Sequence, residues 1–486
     1  MKRTTNTPMK QHITATLVSL ALVISYGQGT ALAQTTATSP STVYQYEYDL
    51  NDNLIKITNG NNAVTKQSYD MLNRLQSQTD ADNKTTSYTY NGQNRLTQVT
   101  DARNLNTIYS IDGLGNQLSL TSPDTGVTTT TADAAGNILT KKDAKGQTTT
   151  YAYDALNRIT SITYQDGSST TYTYDQGNNA KGRLSQISDQ NGSIAYTYDG
   201  RGRVLTETRS INSAGSNTTR YQYDNTGRLS TLTYPNGRQI SYTRDSLGRV
   251  SQIDTSKDGI TMTVLSQVSY RPFGGVQSYR NSAGQTTSRS FDTEGRIASY
   301  TLNNKVQAIS YDAAGRITAI NEANNPNRQT TYGYDNVDRL TSYLTPQASQ
   351  GFSYDPVGNR NTKTNGAANT SYTYASNSNR LNQVTDSQSK TIVTDPNGSI
   401  TNNGNNQFNY DTRGRMISAV TPIGTVQYLI NPLGQRVQKT VPANGSNPAT
   451  SSLYHYDQGG KLISERTGQS DIDYIYLDDL PVAVIK

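Results

Sequence analysis

Few residues in this sequence could carry out catalysis. His455 is one of only two histidines in 486 residues, and an imidazole is the usual general base near neutral pH. Tyr454 and Tyr456 alternate with it, which favours an ordinary position on a β-strand. The chain has no cysteine, which excludes disulfides, thiol chemistry, iron–sulfur clusters, cysteine zinc sites and a lipidated N-terminal cysteine. No G-x-S-x-G, H-E-x-x-H or phosphate-binding loop occurs, so we expect neither an enzyme nor a cofactor.

Carboxylates occur in two arrangements that could bind a metal ion. Asp478 and Asp479 are adjacent, but neighbours on the strand predicted here point to opposite faces and are not expected to share a proton or a metal. The acid-rich segments 49–53 and 80–83 resemble calcium loops, yet they lack the twelve-residue pattern and its final Glu. Because Asp and Asn also favour tight turns, we interpret these segments as turns and predict no metal site.

A set of Tyr, Asp, Gly or Asn, and Arg recurs along the chain and could bind carbohydrate. Tyrosine rings could stack on sugars, and Asp and Arg could bind hydroxyl groups. The same residues could instead be structural, because tyrosines pair across strands and Arg can lie over a ring or pair with the Asp of a neighbouring turn. Residues that repeat in nearly every unit are typical of a scaffold, which is the role we favour. The copies include Tyr69, Asp70 and Arg74; Tyr153, Asp154 and Arg158; Tyr198, Asp199, Gly202 and Arg203; Tyr223, Asp224, Gly227 and Arg228; Tyr311, Asp312, Gly315 and Arg316; and Tyr410, Asp411, Gly414 and Arg415.

The recurring set defines a repeat. Its Asp, which we call the key position, falls at residues 49, 70, 91, 112, 133, 154 and 175, in steps of 21 residues. Weaker copies continue to residue 478, so about 21 units fill residues 44–486 with no boundary between them. Some units carry another residue at the key position, namely Asn91, Arg271, Ala375 and Asn431.

Each unit has the pattern of two antiparallel strands. In residues 151–175 the two tyrosines before the key Asp lie two apart and share one face of a strand. Residues 154–157 are typical of a tight turn, the key turn, where Gly in other copies supplies a positive φ. Arg158 then opens a second strand rich in β-branched residues, and Asp166–Gly167 form the return turn. Strands of six or seven residues and two turns account for the period, so we predict an all-β fold of stacked hairpins.

The N-terminus has the pattern of a secretory signal peptide. Cations without acids precede a short apolar run at residues 16–24, and Ala31–Ala33 fits an A-x-A cleavage site. We predict cleavage between Ala33 and Gln34, which removes residues 1–33. The apolar run is shorter than the roughly 20 residues that a membrane anchor needs, an uncleaved anchor being the alternative.

The remainder of the chain begins with a polar linker at residues 34–43. No later apolar run could span a bilayer, so we expect a secreted protein in the periplasm, outside the cell or at its surface. The formal charge is +6 over the whole chain. About half of the arginines occupy the repeat position and are matched by Asp, and this even spread argues against a nucleic-acid surface.

The pattern Y-D-x-x-G-R-[LIV], at a spacing near 21 residues, resembles the YD repeat of the RHS family. That family includes bacterial Rhs toxins, the shell-forming subunits of insecticidal Tc complexes and the extracellular region of teneurins. The resemblance covers residues 44–486, and the stretches 456–462 and 474–485 look like the late part of a bacterial RHS shell. It implies one long β-sheet that spirals into a hollow shell, which in bacterial members encloses a C-terminal toxic domain.

Bacterial members of the family continue beyond the equivalent of Lys486, to a D-P-x-G-type self-cleavage motif and a variable toxin that have no counterpart here. We therefore expect a secreted structural protein, a partial encapsulating shell of an Rhs-type polymorphic toxin. Its expected partners are a toxin cargo or a missing C-terminal shell segment. The alternative is a cell-surface carbohydrate-binding or adhesion protein with glycans as partners. An open final sheet edge, prone to pairing, is also expected.

Overall fold

The computed structural model describes residues 40–486. Their regular structure is β-strand throughout, apart from one short 3₁₀ helix at Pro326–Arg328, so the predicted all-β fold is confirmed. Among these residues no helix is long and apolar enough to cross a membrane. The predicted signal peptide, its cleavage site at Ala33 and Gln34, and residues 34–39 of the predicted linker lie outside the described residues.

The strands form an antiparallel meander, in which each strand pairs with the strands before and after it in sequence. The first sheet contains 33 strands. They are β1 (Gln45–Tyr48), β2 (Leu54–Thr58), β3 (Val64–Tyr69), β4 (Leu75–Thr79), β5 (Thr85–Tyr90), β6 (Leu96–Thr100), β7 (Asn106–Ile111), β8 (Gln117–Ser122), β9 (Gly126–Ala132), β10 (Ile138–Lys142), β11 (Thr148–Tyr153), β12 (Ile159–Thr163), β13 (Ser169–Tyr174), β14 (Leu184–Asp189), β15 (Gly192–Tyr198), β16 (Val204–Ile211), β17 (Gly215–Tyr223), β18 (Leu229–Thr233), β19 (Gln239–Arg244), β20 (Val250–Lys257), β21 (Ile260–Tyr270), β22 (Val276–Asn281), β23 (Thr286–Phe291), β24 (Ile297–Leu302), β25 (Lys305–Tyr311), β26 (Ile317–Glu322), β27 (Gln329–Tyr334), β28 (Leu340–Leu344), β29 (Ser349–Tyr354), β30 (Arg360–Asn365), β31 (Ala368–Tyr374), β32 (Leu381–Thr385) and β33 (Ser389–Thr391).

A second sheet of 10 strands continues the meander after Ile392. The side chain of Ile392 is buried, and its N–H donates to the Asn382 carbonyl at 2.8 Å, at the point where one ladder ends and the next begins. The strands of the second sheet are β34 (Val393–Thr394), β35 (Ile400–Asn402), β36 (Gln407–Tyr410), β37 (Met416–Thr421), β38 (Gly424–Ile430), β39 (Arg436–Val441), β40 (Thr450–Tyr456), β41 (Leu462–Thr467), β42 (Ser470–Leu477) and β43 (Leu480–Ile485).

The key Asp builds the key turn through its carboxylate. In the turn that starts at Asp154, Oδ1 accepts hydrogen bonds from the N–H groups of Leu156 (2.9 Å) and Arg158 (3.0 Å). Oδ2 accepts from Nε of Arg158 at 2.7 Å, and the Asp154 N–H donates to the Arg158 carbonyl at 2.9 Å. Asn157 takes the left-handed conformation at φ 59°, where Gly stands in other copies. One carboxylate therefore satisfies two of the turn's backbone donors, and backbone carbonyls satisfy two more, the N–H groups of Asp154 and Asn157.

Two predicted details of the unit are wrong. Arg158 does not open the second strand; it closes the key turn, and β12 begins at Ile159, so β12 has five residues rather than six or seven, whereas β11 has the expected six. Asp478 and Asp479 do not lie on a strand. They form the two-residue turn between β42 and β43, with Asp478 at φ 54°, a conformation that Asp adopts more readily than most residues.

The tyrosine before each key position ties its unit to the preceding one. Tyr174 donates its hydroxyl to the Ile159 carbonyl at 3.0 Å. The β12–β13 ladder starts only at Ser161, so the Ile159 carbonyl has no partner in that ladder, and the tyrosine satisfies it. The same bond recurs from Tyr69 to Leu54, Tyr90 to Leu75, Tyr153 to Ile138, Tyr198 to Leu184, Tyr223 to Val204, Tyr270 to Val250, Tyr311 to Ile297, Tyr334 to Ile317, Tyr354 to Leu340, Tyr374 to Arg360, Tyr410 to Ile400, Tyr456 to Arg436 and Tyr476 to Leu462.

The sheet coils back on itself. Side-chain hydrogen bonds join residues 246 to 257 apart in sequence, such as Thr412 with Asp166 and Arg339 with Asp82. One coil therefore takes about twelve units of 21 residues. We call residues 44–291 the first coil and residues 292–486 the second coil. This is the spiralling sheet of a partial shell that the resemblance to the RHS family implies.

A hydrophobic core lies where the last strands pack on the first coil. Val482, Ala483 and Ile485 of β43 pack against it, although β43 pairs through its backbone with β42 alone among the described strands. The backbone edge of β43 is therefore unpaired among the described strands, as predicted, while one face of the strand packs on this core. The buried members of the core are Tyr221, Leu232, Tyr234, Ile240, Val250, Ile253, Val264, Leu265, Ile463, Ile475 and Leu477.

The substitution Tyr174→Phe should lower the free energy of unfolding by about 1 kcal/mol, because it removes one hydrogen bond and leaves the Ile159 carbonyl without its donor. The measurement is urea unfolding followed by circular dichroism. Tyr46→Phe is the matched control, since Tyr46 is exposed on β1 and should change stability little. Equal effects of the two substitutions would contradict the assigned role of the hydroxyl.

Candidate functional site

The two coils meet along a seam, which we define as the contact between return turns of the first coil and key turns of the second. The residue two positions after the key position lies at the tip of each key turn. In the second coil Val337 occupies this tip, and its N–H is held by the Asp335 carboxylate at 3.0 Å. The seam runs unit against unit, so each return turn meets the key turn of the unit about twelve places later.

Charges at the tips of the return turns alternate in sign along the seam. Five successive tips, 21 residues apart, are negative, positive, negative, positive and negative in turn. Each of them contacts a residue of opposite charge or a polar residue on the second coil. The pairs are Asp82 with Arg339 (3.1 Å), Arg103 with Asp355 (3.6 Å), Asp124 with the Asn379 side chain (2.9 Å), Lys145 with Asp395 (3.4 Å) and Asp166 with Thr412 (3.0 Å).

In the observed register the row brings opposite charges together, from Asp82 with Arg339 to Lys145 with Asp395. The seam therefore holds the two coils together at successive units.

The most buried pair of the seam joins Arg413 to Asp189 at 2.6 Å. Their side chains are 6% and 0% exposed, and the Arg413 guanidinium also lies 4.5 Å from the ring centroid of Tyr164. Arg413 stands at the tip of its key turn, two residues after Asp411. Loss of either partner of a buried ion pair leaves the other charge buried without compensation, so the stability of the protein should depend on both Arg413 and Asp189.

Farther along, the seam ends in a cluster around two aspartates of β42. Asp473 is fully buried and accepts from Nε of Arg238 at 2.6 Å and from Nδ2 of Asn236 at 2.9 Å. Burial acts to raise the pKa of Asp471, but hydrogen bonds from Arg466 and Asn236 outweigh it and lower this pKa to about 2. The Asp471 carboxylate therefore stays ionised, and the two aspartates hold β42 against the first coil through Arg238, Asn236 and Lys257.

A second buried acid lies near this cluster. Glu207 pairs with Arg209 at 2.5 Å and accepts from the Tyr221 hydroxyl at 3.3 Å. Burial raises the pKa of Glu207, and burial and then the charge of Glu207 raise the pKa of Tyr221. The N–H of Gln458 donates to the same hydroxyl at 2.8 Å, which places this group at the seam as well.

His455, the candidate general base, is buried at 5% exposure on β40. Across neighbouring strands it is aligned with Ser464, and Ser464 with Asp473. A catalytic triad needs the histidine between the serine and the aspartate, but here Ser464 lies in the middle of the row. The Asp473 carboxylate is also already paired with Arg238, so this arrangement does not suit activation of a serine nucleophile. Burial, with the nearby charges of Arg466 and Arg209, lowers the pKa of His455 to about 4.

The recurring Tyr, Asp and Arg come together across units. In many units the guanidinium of the repeat Arg lies over the aromatic ring of the following unit, as Arg158 does over Tyr174 at 4.3 Å, and this is the contact that the sequence suggests. Arg228 and Arg415 are followed by Arg244 and Ile430 at the tyrosine position and have no such ring to cover. Equivalent pairs are Arg74 with Tyr90, Arg203 with Tyr223, Arg249 with Tyr270, Arg296 with Tyr311, Arg316 with Tyr334 and Arg339 with Tyr354. Arg271, which stands at a key position, covers Phe291 in the same way.

These contacts leave the repeat tyrosines little surface for sugars, because one face of the ring carries an Arg and the hydroxyl is bonded to a carbonyl. The first strand differs. Tyr46 and Tyr48 are 52% and 57% exposed, and the rings of Tyr44 and Tyr46 stack with centroids 6.4 Å apart. The acid-rich segment 49–53 is a key turn in which Asp49 accepts from the Asn53 side chain and from the N–H groups of Asn53 and Asn51, and these bonds lower the pKa of Asp49.

Sequence reasoning missed the seam. Asp82, Asp124 and Asp166 recur at the same spacing as the repeat, with Arg103 and Lys145 between them, and this alternating row was the available signal. Its partners could not be named, because the number of units per coil depends on the accumulated twist of the sheet.

Two family models match the chain. A model described as RHS Repeat matches residues 69–105, 133–169, 153–179 and 311–350. A model described as Teneurin YD-shell matches residues 178–271 and 349–481. No curated protein matches the sequence.

The fold is similar to that of solved toxin structures. The Photorhabdus luminescens Tc holotoxin pore, with a mutation in TccC3, matches at a TM-score of 0.74 and 16% identity over 89% of this chain and 27% of that chain. TcdB2–TccC3 without its hypervariable C-terminal region matches at a TM-score of 0.75 and 17% identity, with the same coverages. TcdB2–TccC3 matches at 0.74 and 16%, over 89% and 28%. The chain thus spans little more than a quarter of the length of these structures.

The substitution Arg413→Ala should lower the free energy of unfolding by about 3–5 kcal/mol, because it leaves Asp189 buried without its cation. Urea unfolding measures the change. The matched control is Arg201→Ala, in which the arginine has the same place two residues after its key Asp but is exposed on the first coil. Its cost should stay within about 0.5 kcal/mol. Similar costs at both positions would mean that the seam does not stabilise the protein.

The substitution His455→Gln should remove part of the acid sensitivity of folding. The pKa of His455 is about 4 in the folded protein and 6.5 without burial, so the unfolded chain alone takes up this proton as the pH falls through that range. Stability that is present above pH 6.5 is therefore lost towards pH 4, by roughly 3 kcal/mol. Unfolding measured at about pH 7 and about pH 4.5 should show a smaller difference in the variant. An unchanged difference would contradict the lowered pKa.

Proposed function

The chain belongs to the RHS family of YD-repeat proteins, and on this premise we propose that it is a secreted structural protein forming part of an encapsulating shell of an Rhs-type polymorphic toxin. The likeness to TcdB2–TccC3 supports the shell fold. The function would be containment: the sheet separates a cargo from its surroundings without catalysis or a cofactor of its own. The cargo would be a toxic segment, and further shell sequence on another segment would complete the wall.

The seam is the observation that carries this proposal. A single-layer sheet that merely coiled would leave a slit between successive coils. Here the slit is closed by ion pairs and hydrogen bonds at each return turn, from Asp82 with Arg339 to Asp189 with Arg413. A wall closed in this way is suited to keeping proteases and partners away from what it surrounds.

Protease protection tests containment. A flexible Gly/Ser-rich segment of about 100 residues, carrying one cleavage site, is fused after Lys486. In the control the same segment is inserted at the exposed return turn 443–447. Containment predicts cleavage of the C-terminal segment at least about fivefold more slowly than of the inserted one. Equal rates would overturn the proposal.

The alternative, carbohydrate binding, has one specific observation in its favour. Tyr46 and Tyr48 are exposed on β1, and the exposed Tyr44, just before the strand, stacks on Tyr46. Binding to cell-wall polysaccharide that is saturable and lost in a Tyr46→Ala, Tyr48→Ala variant would support an adhesion role. Binding that survives these substitutions, or no binding, would remove this site from consideration.

A further inference from the structure

One key turn of the first coil starts with an asparagine, Asn91, where most units carry an aspartate. Its Oδ1 accepts hydrogen bonds from the N–H groups of Gln93 and Arg95, each at 3.0 Å, in the manner of Asp154 Oδ1 in its own turn. The second position of the side chain is therefore occupied by Nδ2 in place of a carboxylate oxygen. Because an amide nitrogen only donates, it cannot accept from a guanidinium as Asp154 Oδ2 does from Arg158.

Arg95 lacks the partner that its position normally has. Equivalent arginines pair with their key Asp, as Arg158 does with Asp154 at 2.7 Å, whereas Arg95 forms no ion pair within residues 40–486. Ile111 stands at the next tyrosine position, so no ring is available there for its guanidinium to cover. The guanidinium lies against Gly115 of the next key turn. This unit therefore has the cation of the motif without its anion.

The other asparagine at a key position, Asn431, has different surroundings. Gln435 stands where the first turn has Arg95, and the two amides match each other. Asn431 Nδ2 donates to Gln435 Oε1 at 2.9 Å, and the Gln435 N–H donates to Asn431 Oδ1 at 3.0 Å. Pro432 follows, and a proline nitrogen carries no proton that it could lose in a reaction with the side chain. The surroundings of Asn431 thus suit an amide, whereas those of Asn91 suit a carboxylate.

Gly92 allows the chain itself to convert Asn91. Gly92 is exposed, has open space around its Cα, and within the described part of the chain its N–H donates no hydrogen bond. Attack of the Gly92 nitrogen on Asn91 Cγ forms a C–N bond and a succinimide ring, and ammonia leaves with the proton of that nitrogen. Water then adds to the ring. Cleavage of the new C–N bond gives aspartate, and cleavage of the original peptide bond gives isoaspartate.

We propose that Asn91–Gly92 is a self-deamidation site, which completes the Tyr–Asp–Arg motif of its unit after the chain has folded. The product carboxylate keeps the two backbone hydrogen bonds at Oδ1 and presents Oδ2 to Arg95, so the turn gains the ion pair of the other units. Isoaspartate adds one atom to the backbone of the turn and loses this geometry, so the folded unit favours aspartate. The proposal does not depend on whether the sheet encloses a cargo.

Mass spectrometry of peptides from the full chain tests the conversion. The protein is incubated at neutral pH and digested in heavy-oxygen water, which marks any deamidation that occurs during digestion. Residue 91 should change from amide to carboxyl group, mainly as aspartate, at least about tenfold faster than Asn236, which glycine also follows. Asn236 is the matched internal control, because its Nδ2 donates to Asp473 at 2.9 Å and the Gly237 N–H donates to the Tyr234 carbonyl at 3.0 Å. A lasting amide at residue 91, equal rates at both sites or mainly isoaspartate would each overturn the proposal.

Hydrogen exchange separates completion of the motif from ordinary ageing of an exposed turn. In Asn91→Asp the N–H groups of Gln93 and Arg95 should exchange about two- to fivefold more slowly than in wild type still in its amide form, because a carboxylate accepts more strongly and pairs with the guanidinium. Arg95→Gln builds the amide pair seen at Asn431 and Gln435, so in that background Asn91→Asp should slow exchange clearly less. An equal effect in both backgrounds, or none in either, would contradict the assigned role of Arg95.

Discussion

The arginine of each repeat unit serves two units at once, and the rest of the sheet depends on it. Arg158 pairs with Asp154 at 2.7 Å in its own key turn, covers Tyr174 of the next unit at 4.3 Å and reaches Asp175 at 2.8 Å. A planar cation that stacks and bonds in its own plane can do all three, which an ammonium could not. Where Asn replaces Arg, as at Asn116, the bond to the key Asp remains at 2.9 Å but the aromatic cover is lost.

This arrangement explains how a chain with no Trp and only 4 Phe folds without a conventional core. Outside the cluster formed with the last strands, a unit with the full motif is held by its turn carboxylate, by the tyrosine hydroxyl on a vacant carbonyl and by the arginine on the next ring. These are contacts between neighbours in sequence, as in other repeat proteins. The seam adds a second direction of contact, so a unit such as the one around Arg339 is held both along the sheet and across it.

The unit was predictable and the coil was not. The spacing of Tyr153, Asp154 and Arg158 predicts the turn, the strand and the arginine–tyrosine contact, because all of these form between residues within about one period of the repeat. The boundary at Arg158 and the turn at Asp478 were misread, since a pattern of residue types does not distinguish a long turn from the start of a strand. The pairing of Asp189 with Arg413, 224 residues away, depends on the summed twist of many strands, and no single repeat carries that information.

The tyrosine bond to the preceding unit also gives the sheet a direction of growth. Tyr174 needs a carbonyl that was ordered before it, at Ile159, so a chain emerging from its N-terminus can add finished hairpins one at a time. Contacts such as Asp82 with Arg339 then form between parts that are already ordered, and they avoid most of the loop-closure entropy that a separation of 257 residues would cost a flexible chain. Folding need not be slow despite the high sequence separation of these contacts, because each seam contact can form as soon as its unit of the second coil has been added.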